Sequence, residues 1–249
     1  MKEFIKETLT RAGIYYAKRQ YMPCGIDWLW DVNRIARGRS ITTVFDVGAN
    51  VGQTTQMIKA RFPTAGVHAF EPVSSTFQTL EQNVRPLDGV TCHRLALSDS
   101  VGAAAMTAAA NSPLNRLVDA RPGPGPADGG IERVETDTID RFCLQRRIER
   151  IDLLKVDAEG ADLKVLQGAA RMLAESRVAF VFAEVGFDPA DAGHVHVAAL
   201  LAQLRGVGLE PYSFYDYCRL RPPDYEHEGL GLVFANVLLV SPAAIAALE

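Results

Sequence analysis

The chain has 249 residues, of which 48% are hydrophobic and 22% are charged, and its formal net charge is −4. This length suits one α/β domain with additions, and the mildly acidic balance argues against a protein that coats nucleic acid. The four cysteines show no Cys-x-x-Cys spacing, which favours reduced thiols over disulfides or a zinc site. The N-terminus lacks the apolar core of a signal peptide, and no apolar run is long enough to span a membrane. We therefore expect a cytoplasmic protein without a transmembrane segment.

Residues 1–40 precede the first predicted strand, and we interpret them as a helical N-terminal extension to a main domain at 41–249. One predicted helix carries apolar residues at helical spacing, namely Ile5, Leu9, Ala12 and Tyr16. A second short helix is predicted from the cluster Trp28, Leu29, Trp30, Val32 and Ile35. The extension fits a lid or packing element on the core, and a membrane-surface or partner-binding face is the alternative.

The first two predicted strands of the main domain enclose a turn suited to a nucleoside-containing cofactor. An apolar run at 42–47 is followed by a helix candidate at 53–62 and by a second strand candidate at 66–71. Gly48 and Gly52 bracket the turn, where glycine lets the backbone bend tightly and approach a ligand. Glu71, followed by Pro72, ends the second strand, where an acid can accept hydrogen bonds from ribose hydroxyls.

The composition of this turn selects among cofactors. Its sequence, Gly48-Ala49-Asn50-Val51-Gly52, lacks the Gly-x-Gly-x-x-Gly pattern that lets the backbone reach a dinucleotide pyrophosphate. Asp46, just ahead of the turn, would repel a pyrophosphate but suits the ammonium group of an amino acid. S-adenosylmethionine has an amino-acid end and a ribose without phosphate, so it is the predicted cofactor. A dinucleotide and a purely structural turn are the alternatives.

The remaining segments alternate between strand and helix patterns. Strand candidates lie at 42–47, 66–71, 90–95, 151–156, 178–184, 209–214 and 232–240, and helix candidates lie at 53–62, 74–84, 138–147, 161–174 and 194–206. This alternation indicates a parallel, doubly wound sheet. The last two strand candidates are joined without a helical pattern, so they can pair as an antiparallel hairpin. The predicted fold is α/β, a doubly wound, seven-stranded, mostly parallel sheet of the Rossmann-like class I methyltransferase type.

One stretch departs from this alternation. Residues 96–102 favour a turn followed by a strand, and residues 111–130 are rich in glycine and proline. Long loops in compact domains are usually functional or mobile. We expect the segment 111–130 to be an exposed loop that closes over bound ligands.

A second charged motif lies where a predicted strand enters a helix. Lys155, Asp157 and Glu159 alternate there, and charges at the carboxyl end of a parallel strand face the ligand crevice of α/β proteins. Glu184 ends the next strand, so Asp157 and Glu184 are expected to lie within reach of one site. Two such carboxylates can hold a divalent cation such as Mg²⁺ that binds the substrate oxygen. The alternative is a structural ion pair between Lys155 and one of them.

These motifs together resemble the FkbM-type methyltransferase family. The resemblance covers roughly 42–240 and rests on five stretches, namely Asp46 to Gly52, Phe70-Glu71-Pro72, Ala96 to Asp99, Lys155 to Ala169, and Ala235-Asn236. It implies methyl transfer from S-adenosylmethionine to a hydroxyl of a sugar, glycan or secondary metabolite. The cofactor-binding residues that we expect are Asp46, Gly48, Asn50, Gly52, Glu71, Pro72, Ser98, Asp99 and Asp157. The expected catalytic residues are Asp157, Glu184 and Lys155.

Several assignments stay open at this point. Asp99 is either an adenine acceptor or a turn-forming residue. His194 and His196 are two positions apart, so at most one can face the site, and Glu159 is a further candidate base. Aromatic residues between 212 and 217 fit either a sugar-binding cleft or hairpin packing. The rival functions are an RNA or protein methyltransferase and a non-catalytic binding protein on the same scaffold. The sequence does not name the acceptor, and it leaves a homo-oligomer open.

Overall fold

A computed structural model describes residues 22–108, 117–118, 130–188, 193–219 and 232–246. The helix predicted from Ile5 to Tyr16 lies outside these residues. The same holds for the segment 111–130 that we expect to act as a lid, apart from residues 117–118 and Gly130.

The described residues form eleven strands and eight helices. The strands are β1 (Thr43–Val47), β2 (Gly66–Phe70), β3 (Val90–His93), β4 (Ala96–Leu97), β5 (Gly102–Ala108), β6 (Leu117–Val118), β7 (Gly130–Asp137), β8 (Ile151–Val156), β9 (Val178–Gly186), β10 (Glu210–Arg219) and β11 (Leu232–Val240). The helices are α1 (Trp28–Ile35), α2 (Gln53–Arg61), α3 (Ser74–Val84), α4 (Ile139–Arg146), α5 (Asp162–Gln167), α6 (Ala170–Ala174), α7 (Val197–Arg205) and α8 (Pro242–Ala246).

The main sheet has seven strands in the order β10-β11-β9-β8-β1-β2-β3. Strand β11 runs antiparallel to both of its neighbours, and the other pairs are parallel. This confirms the predicted doubly wound, mostly parallel fold with an antiparallel strand near one edge. Parallel strands bring their carboxyl ends to one edge of the sheet, and a reversal of strand order there opens a crevice. Here the reversal lies between β1 and β8.

Side chains of neighbouring residues in the central strands enter different cores on the two faces of the sheet. Phe45 and Leu154 belong to one buried cluster, and Val44 and Leu153 belong to the other. All six residues of β8 are buried, as expected for a strand covered on both faces. This two-sided burial fixes the register of β1 and β8 and hence the positions of Asp46, Lys155 and Asp157.

The helix α1 confirms the second short helix predicted in the N-terminal region. Its Trp28 ring stacks on Phe182 of β9, with 4.0 Å between the ring centroids. The buried Asp31 accepts hydrogen bonds from the Tyr215 hydroxyl at 2.7 Å and from the Gly25 amide at 2.9 Å. The helix therefore packs on the sheet, while the division of the chain at residue 40 stays a prediction.

A second sheet interrupts the regular alternation. Its strands have the order β4-β7-β5-β6, and β5 pairs antiparallel with β7 from Gly102 opposite Thr136 to Ala108 opposite Gly130. The strand β5 was expected, but β7 was not. The reason is that β7 is partly exposed and carries mainly charged and polar residues, so its pattern resembles a loop more than a buried strand.

Two helix boundaries also differ from the prediction. The helix expected at 161–174 is divided into α5 and α6 at Gly168, where the backbone lies against Ser98. A Cβ atom on Gly168 would lie 2.0 Å from the Ser98 carbonyl oxygen. The helix expected to begin at 194 begins at Val197, because the His196 side chain caps it by accepting a hydrogen bond from the Ala198 amide. Among the helices that the structure describes, none combines the length and the apolar character needed to cross a membrane.

The predicted packing role of His68 and His93 is confirmed, and it makes stability sensitive to acid. His68 Nδ1 and His93 Nε2 are within hydrogen-bond distance at 3.0 Å, and the two rings pack among Phe45, Phe70 and Phe142. Burial lowers the pKa of both imidazoles, that of His93 to about 4. Below about pH 6.5 the unfolded chain therefore binds protons that the folded chain does not, down to about pH 4. We therefore expect the contribution of this histidine pair to the free energy of unfolding to decrease as the pH is lowered through this window.

Chemical denaturation at a series of pH values tests this expectation. His93→Phe keeps an aromatic ring beside Phe70 and Phe142 but removes a titrating group. As the pH is lowered from 6.5 to 4, the difference in free energy of unfolding between this variant and the wild type should therefore change in favour of the variant. Parallel curves for the two proteins would contradict the assignment.

Candidate active site

A cavity opens at the carboxyl ends of β1, β2 and β8, and it encloses about 670 Å³ of empty space when its open mouth is counted. Its walls come from both sheets. The lining residues are Val47, Gly48, Asn50, Phe70, Glu71, Pro72, Leu95, Ala96, Leu97, Met106, Asp157, Ala158, Glu159 and Ala161. Of the predicted cofactor residues, the structure therefore brings Gly48, Asn50, Glu71, Pro72 and Asp157 together around one cavity.

The glycine turn after β1 is held tightly against its neighbours. Gly48 has a φ angle of +71°, and its amide donates to the Phe70 carbonyl at 3.1 Å. A Cβ atom on Gly48 would lie 1.8 Å from the backbone oxygen of Asp157. The sequence suggested that glycine leaves room for a ligand, but the structure shows that the first obstacle to a side chain is the end of β8. Gly52 packs similarly against Val84, outside the cavity wall.

Glu71 presents a buried carboxylate at the end of β2. Its Oε1 accepts a hydrogen bond from the Val73 amide at 3.0 Å, and its Oε2 accepts one from the Asn50 amide at 3.2 Å. Burial raises the pKa of Glu71 to about 7, although these two amide bonds act in the opposite direction. A carboxylate has about four acceptor positions, so each oxygen can accept a further hydrogen from a ligand hydroxyl.

Asp46 lies behind the cavity wall rather than in it. The residue is fully buried, and its Oδ2 accepts a hydrogen bond from the Thr55 hydroxyl at 2.6 Å. Its Oδ1 makes no hydrogen bond with the described residues, but it lies 3.3 Å from the Lys155 ammonium nitrogen. We read this contact as an ion pair without hydrogen-bond geometry, since both groups are buried and oppositely charged. Asp46 thus contributes to the site through its neighbours.

Lys155 connects β1 to the end of β8. Its Nζ donates to the carbonyl oxygens of Gly48 at 2.9 Å and Val47 at 3.3 Å. It also pairs with Asp157 Oδ2 at 3.3 Å, which supports the structural ion pair foreseen as an alternative. Burial lowers the pKa of this ammonium, but the charges of Asp157 and Asp46 outweigh burial and raise the pKa above its ordinary value. Lys155 is therefore a permanent cation that fixes the glycine turn.

Four carboxyl groups beside Lys155 lie close enough together to shift one another's pKa. We call these residues, Asp157, Glu159, Asp162 and Glu184, the acidic group. Burial, followed by the charge of Asp157, raises the pKa of Glu159 and of Glu184 to about 7. The same two causes raise the pKa of the buried Asp162 to about 6. The acidic group therefore contains carboxyls that can exchange protons near neutral pH.

The two histidines near β9 have different surroundings. His194 Nε2 lies 3.3 Å from Glu184 Oε2, and the His194 ring stacks on Phe234 at 4.7 Å. His196 instead caps α7. Of the two, His194 is thus the histidine that faces the acidic group, in agreement with the expectation that at most one of them can do so.

Ser98 and Asp99 do not line the cavity. Asp99 is exposed and accepts hydrogen bonds from the hydroxyls of Ser98 at 3.2 Å and Ser100 at 3.1 Å, as in the turn-forming alternative.

Some of the aromatic residues of β10 pack against the N-terminal region, as in the packing alternative. Tyr215 is buried against Asp31, and Tyr212 donates to the Cys24 sulfur at 3.1 Å.

The described residues do not fit the predicted cation site. Among them, no group of three or more His, Cys, Asp or Glu side chains is placed to hold a metal ion. Asp157 is paired with Lys155, and Glu184 is paired with His194. Both carboxylates therefore already have partners that a cation would have to displace.

Comparison with known proteins decides the family. The family described as "Methyltransferase FkbM domain" matches residues 46–209, from Asp46 in β1 to the segment that precedes β10. The chain belongs to the FkbM methyltransferase family. Its fold is accordingly that of an FkbM methyltransferase domain, and the cavity at the strand ends is its candidate functional site.

Three relatives illustrate the range of this FkbM family. "Methyltransferase sdnD" of Sordaria araneosa is 32% identical over 50% of this chain and 59% of its own length. "2-O-methyltransferase NoeI" of Sinorhizobium fredii is 26% identical over 64% of this chain and 69% of its own. "31-O-demethyl-FK506 methyltransferase FkbM" of Streptomyces tacrolimicus is 31% identical over 50% and 58%. The match thus spans less than two thirds of the first and third of these relatives.

Some residues of the FkbM-type site were not anticipated from sequence. Met106 of β5 and the run Leu95 to Leu97 line the cavity, so the second sheet forms part of its wall. Met106 and Leu95 are apolar and carry no local signal of ligand binding, whereas Ala96 and Leu97 belong to a stretch that carries the family resemblance without predicting a ligand contact. Only the pairing of β4 and β5 with β7 brings them to the end of β2.

Proposed function

We propose that this protein transfers a methyl group from S-adenosylmethionine to a hydroxyl of a sugar, glycan or secondary metabolite. The observation that carries the proposal is the position of Glu71. Its buried carboxylate lines the same cavity as the Gly48 turn and two members of the acidic group, Asp157 and Glu159. One part of the cavity thus suits ribose hydroxyls, and the acidic group beside it suits proton removal.

Specific residues would hold the cofactor. Glu71 would accept the ribose hydroxyls, and Asn50 would face the amino-acid end. The Asn50 Oδ1 atom is buried and has no hydrogen-bond partner among the described residues, so it can accept from an ammonium group. Pro72, Leu97 and Met106 supply apolar wall for the adenine. When bound, the cofactor supplies an activated methyl group, so the protein contributes mainly alignment and proton removal.

Two features support a hydroxyl as the acceptor. Relatives whose names specify the reaction include a 2-O-methyltransferase and a 31-O-demethyl-FK506 methyltransferase. A neutral hydroxyl needs a base, and the acidic group offers carboxyls with a pKa near the operating pH. We assign the catalytic roles to Asp157 and Glu184, with Lys155 holding Asp157 in place. The methyltransferase domain in this proposal is 41–249.

Glu71→Gln should weaken S-adenosylmethionine binding by about 1–3 kcal/mol, because charge-assisted hydrogen bonds to the ribose are lost. Isothermal titration calorimetry measures this effect. The wild-type affinity should also rise with pH through about 7, since the ionised carboxyl is the better acceptor, and the variant should lack this rise. Glu81→Gln, an exposed position on α3, is the control and should bind normally. Equal affinity in Glu71→Gln and wild type would contradict the ribose assignment.

A second experiment tests the reaction itself. Wild-type protein incubated with labelled S-adenosylmethionine and a panel of methyl glycosides should yield a labelled methyl ether. Assays with transfer RNA and with a peptide mixture test the rival acceptor classes. Excess chelator should leave the transfer intact if carboxyls remove the proton. Loss of activity that Mg²⁺ restores would instead favour the cation predicted from sequence.

A further inference from the structure

The two carboxylates assigned to catalysis have partners of different chemistry. Asp157 pairs with the Lys155 ammonium, and Glu184 pairs with the His194 imidazole. A lysine held between two carboxylates keeps its proton throughout the neutral range, so Asp157 is held by a fixed positive charge. A glutamate beside an imidazole can gain and lose a proton near neutral pH.

Strand order places Glu184 on the acceptor side. Glu71 ends β2, the Gly48 turn follows β1, and Asp157 follows β8, so the three occupy consecutive strands across the cofactor cavity. Glu184 lies in β9, the next strand beyond β8, and is not among the residues that line this cavity. An acceptor entering next to the methionine end would therefore lie over β9.

We infer that Glu184 is the residue that takes the proton from the acceptor hydroxyl, and that His194 is its positioning residue. This inference rests on the proposed function. In the step, the O–H bond breaks and its proton passes to the Glu184 carboxylate. The oxygen forms a bond to the methyl carbon as that carbon leaves the sulfonium, whose sulfur keeps the electron pair.

The surroundings of Glu184 suit this role. The groups that face it are Asp157 and Lys155 of the β8 end, Asp162 of α5, Glu159 of the connecting loop and His194. Burial and the negative charge of Asp157 raise the pKa of Glu184 to about 7, and His194 lowers it. The carboxylate is therefore more basic than an exposed glutamate and still ionised in part at neutral pH.

The other candidate bases fit less well. His196 Nδ1 accepts a hydrogen bond from the Ala198 amide and so is committed to capping α7. Glu159 lines the cofactor cavity itself. It lies two residues after Asp157, and its own backbone is left-handed, with a φ of +49°. Glu159 is the main alternative to Glu184 as the base, so the same experiment includes Glu159→Gln.

Kinetics on the glycoside that the wild type methylates separate these candidates. Glu184→Gln should lower kcat by about 10²- to 10⁴-fold, the usual contribution of a general base, with unchanged S-adenosylmethionine affinity. Glu175→Gln, at an exposed ion pair with Arg177, is the control and should keep wild-type kcat. The inference is overturned if Glu184→Gln keeps wild-type kcat, or if Glu159→Gln alone loses the ascending limb of the pH profile.

A readout on the free protein is independent of turnover. In protein with ¹³C-labelled glutamate carboxyls, the resonances of Glu71, Glu159 and Glu184 should titrate near pH 7, and the one that is absent from Glu184→Gln belongs to Glu184. In His194→Gln it should titrate at higher pH, because the group that lowers the pKa of Glu184 is gone. Titration near 4.5, insensitive to His194, would overturn the inference. If the wild type methylates none of the glycosides, the proposed function fails, while this titration still decides whether the pair exists.

Discussion

Replacing Lys155 with methionine is expected to lower the free energy of unfolding by about 3–5 kcal/mol, the usual cost of removing one partner of a buried ion pair. The reason is Asp46, which is fully buried and whose Oδ1, among the described residues, has only the Lys155 ammonium at 3.3 Å to balance it. The loss of Lys155 costs Asp157 less free energy, because the Asp157 side chain is 39% exposed and can be hydrated. Methionine keeps most of the side-chain volume, so the loss reports charge rather than packing.

Lys59→Met is the matched control for this variant. Lys59 is also buried, but its Nζ donates to uncharged acceptors, the carbonyl oxygens of Pro63 and Ala65, both at 2.7 Å. Its removal leaves no unpaired carboxylate, so we expect a loss of about 1–2 kcal/mol. Adding Asp46→Asn to Lys155→Met should restore part of the stability. Equal losses in the two lysine variants, measured by urea denaturation, would argue against charge pairing as the cause.

Gly48→Ala is expected to destabilise the protein by about 3 kcal/mol or more and to abolish S-adenosylmethionine binding. Two costs add up, namely the left-handed φ of +71° and the overlap of the new Cβ with the Asp157 oxygen. Relief requires the turn to move away from β8. Because both Gly48 and Asp157 line the cavity, that movement also distorts the cofactor site.

Gly208→Ala separates the two costs. Gly208 has nearly the same backbone conformation, with a φ of +76°, but no atom lies within 4 Å of a Cβ built there. It should therefore lose only about 1–2 kcal/mol and bind the cofactor normally. Thermal denaturation and calorimetry on both variants give the comparison. If Gly48→Ala behaves like Gly208→Ala in both measurements, the close approach of β1 to β8 is not what requires glycine.

The elements that sequence patterns placed correctly are those with strong periodicity and clear breaks. The seven strands of the main sheet were located because strand and helix patterns alternate along the chain, and the antiparallel edge followed from the missing helix before β11. Glu71 and the Gly48 turn were found because strand ends in parallel sheets share one edge. By contrast, β7 was missed because its alternating charged residues carry no buried run.

The sequence by itself determined the fold class, the family resemblance and the set of charged residues at the strand ends, since these depend on local pattern and spacing. Only the tertiary structure decided which charges pair. Lys155 meets Asp46 and Asp157, whereas Glu184 meets His194, because β8 lies between β1 and β9 and each side chain reaches only its immediate neighbours. The wall formed by Met106 likewise depends on contacts between strands distant in sequence, which no local pattern records.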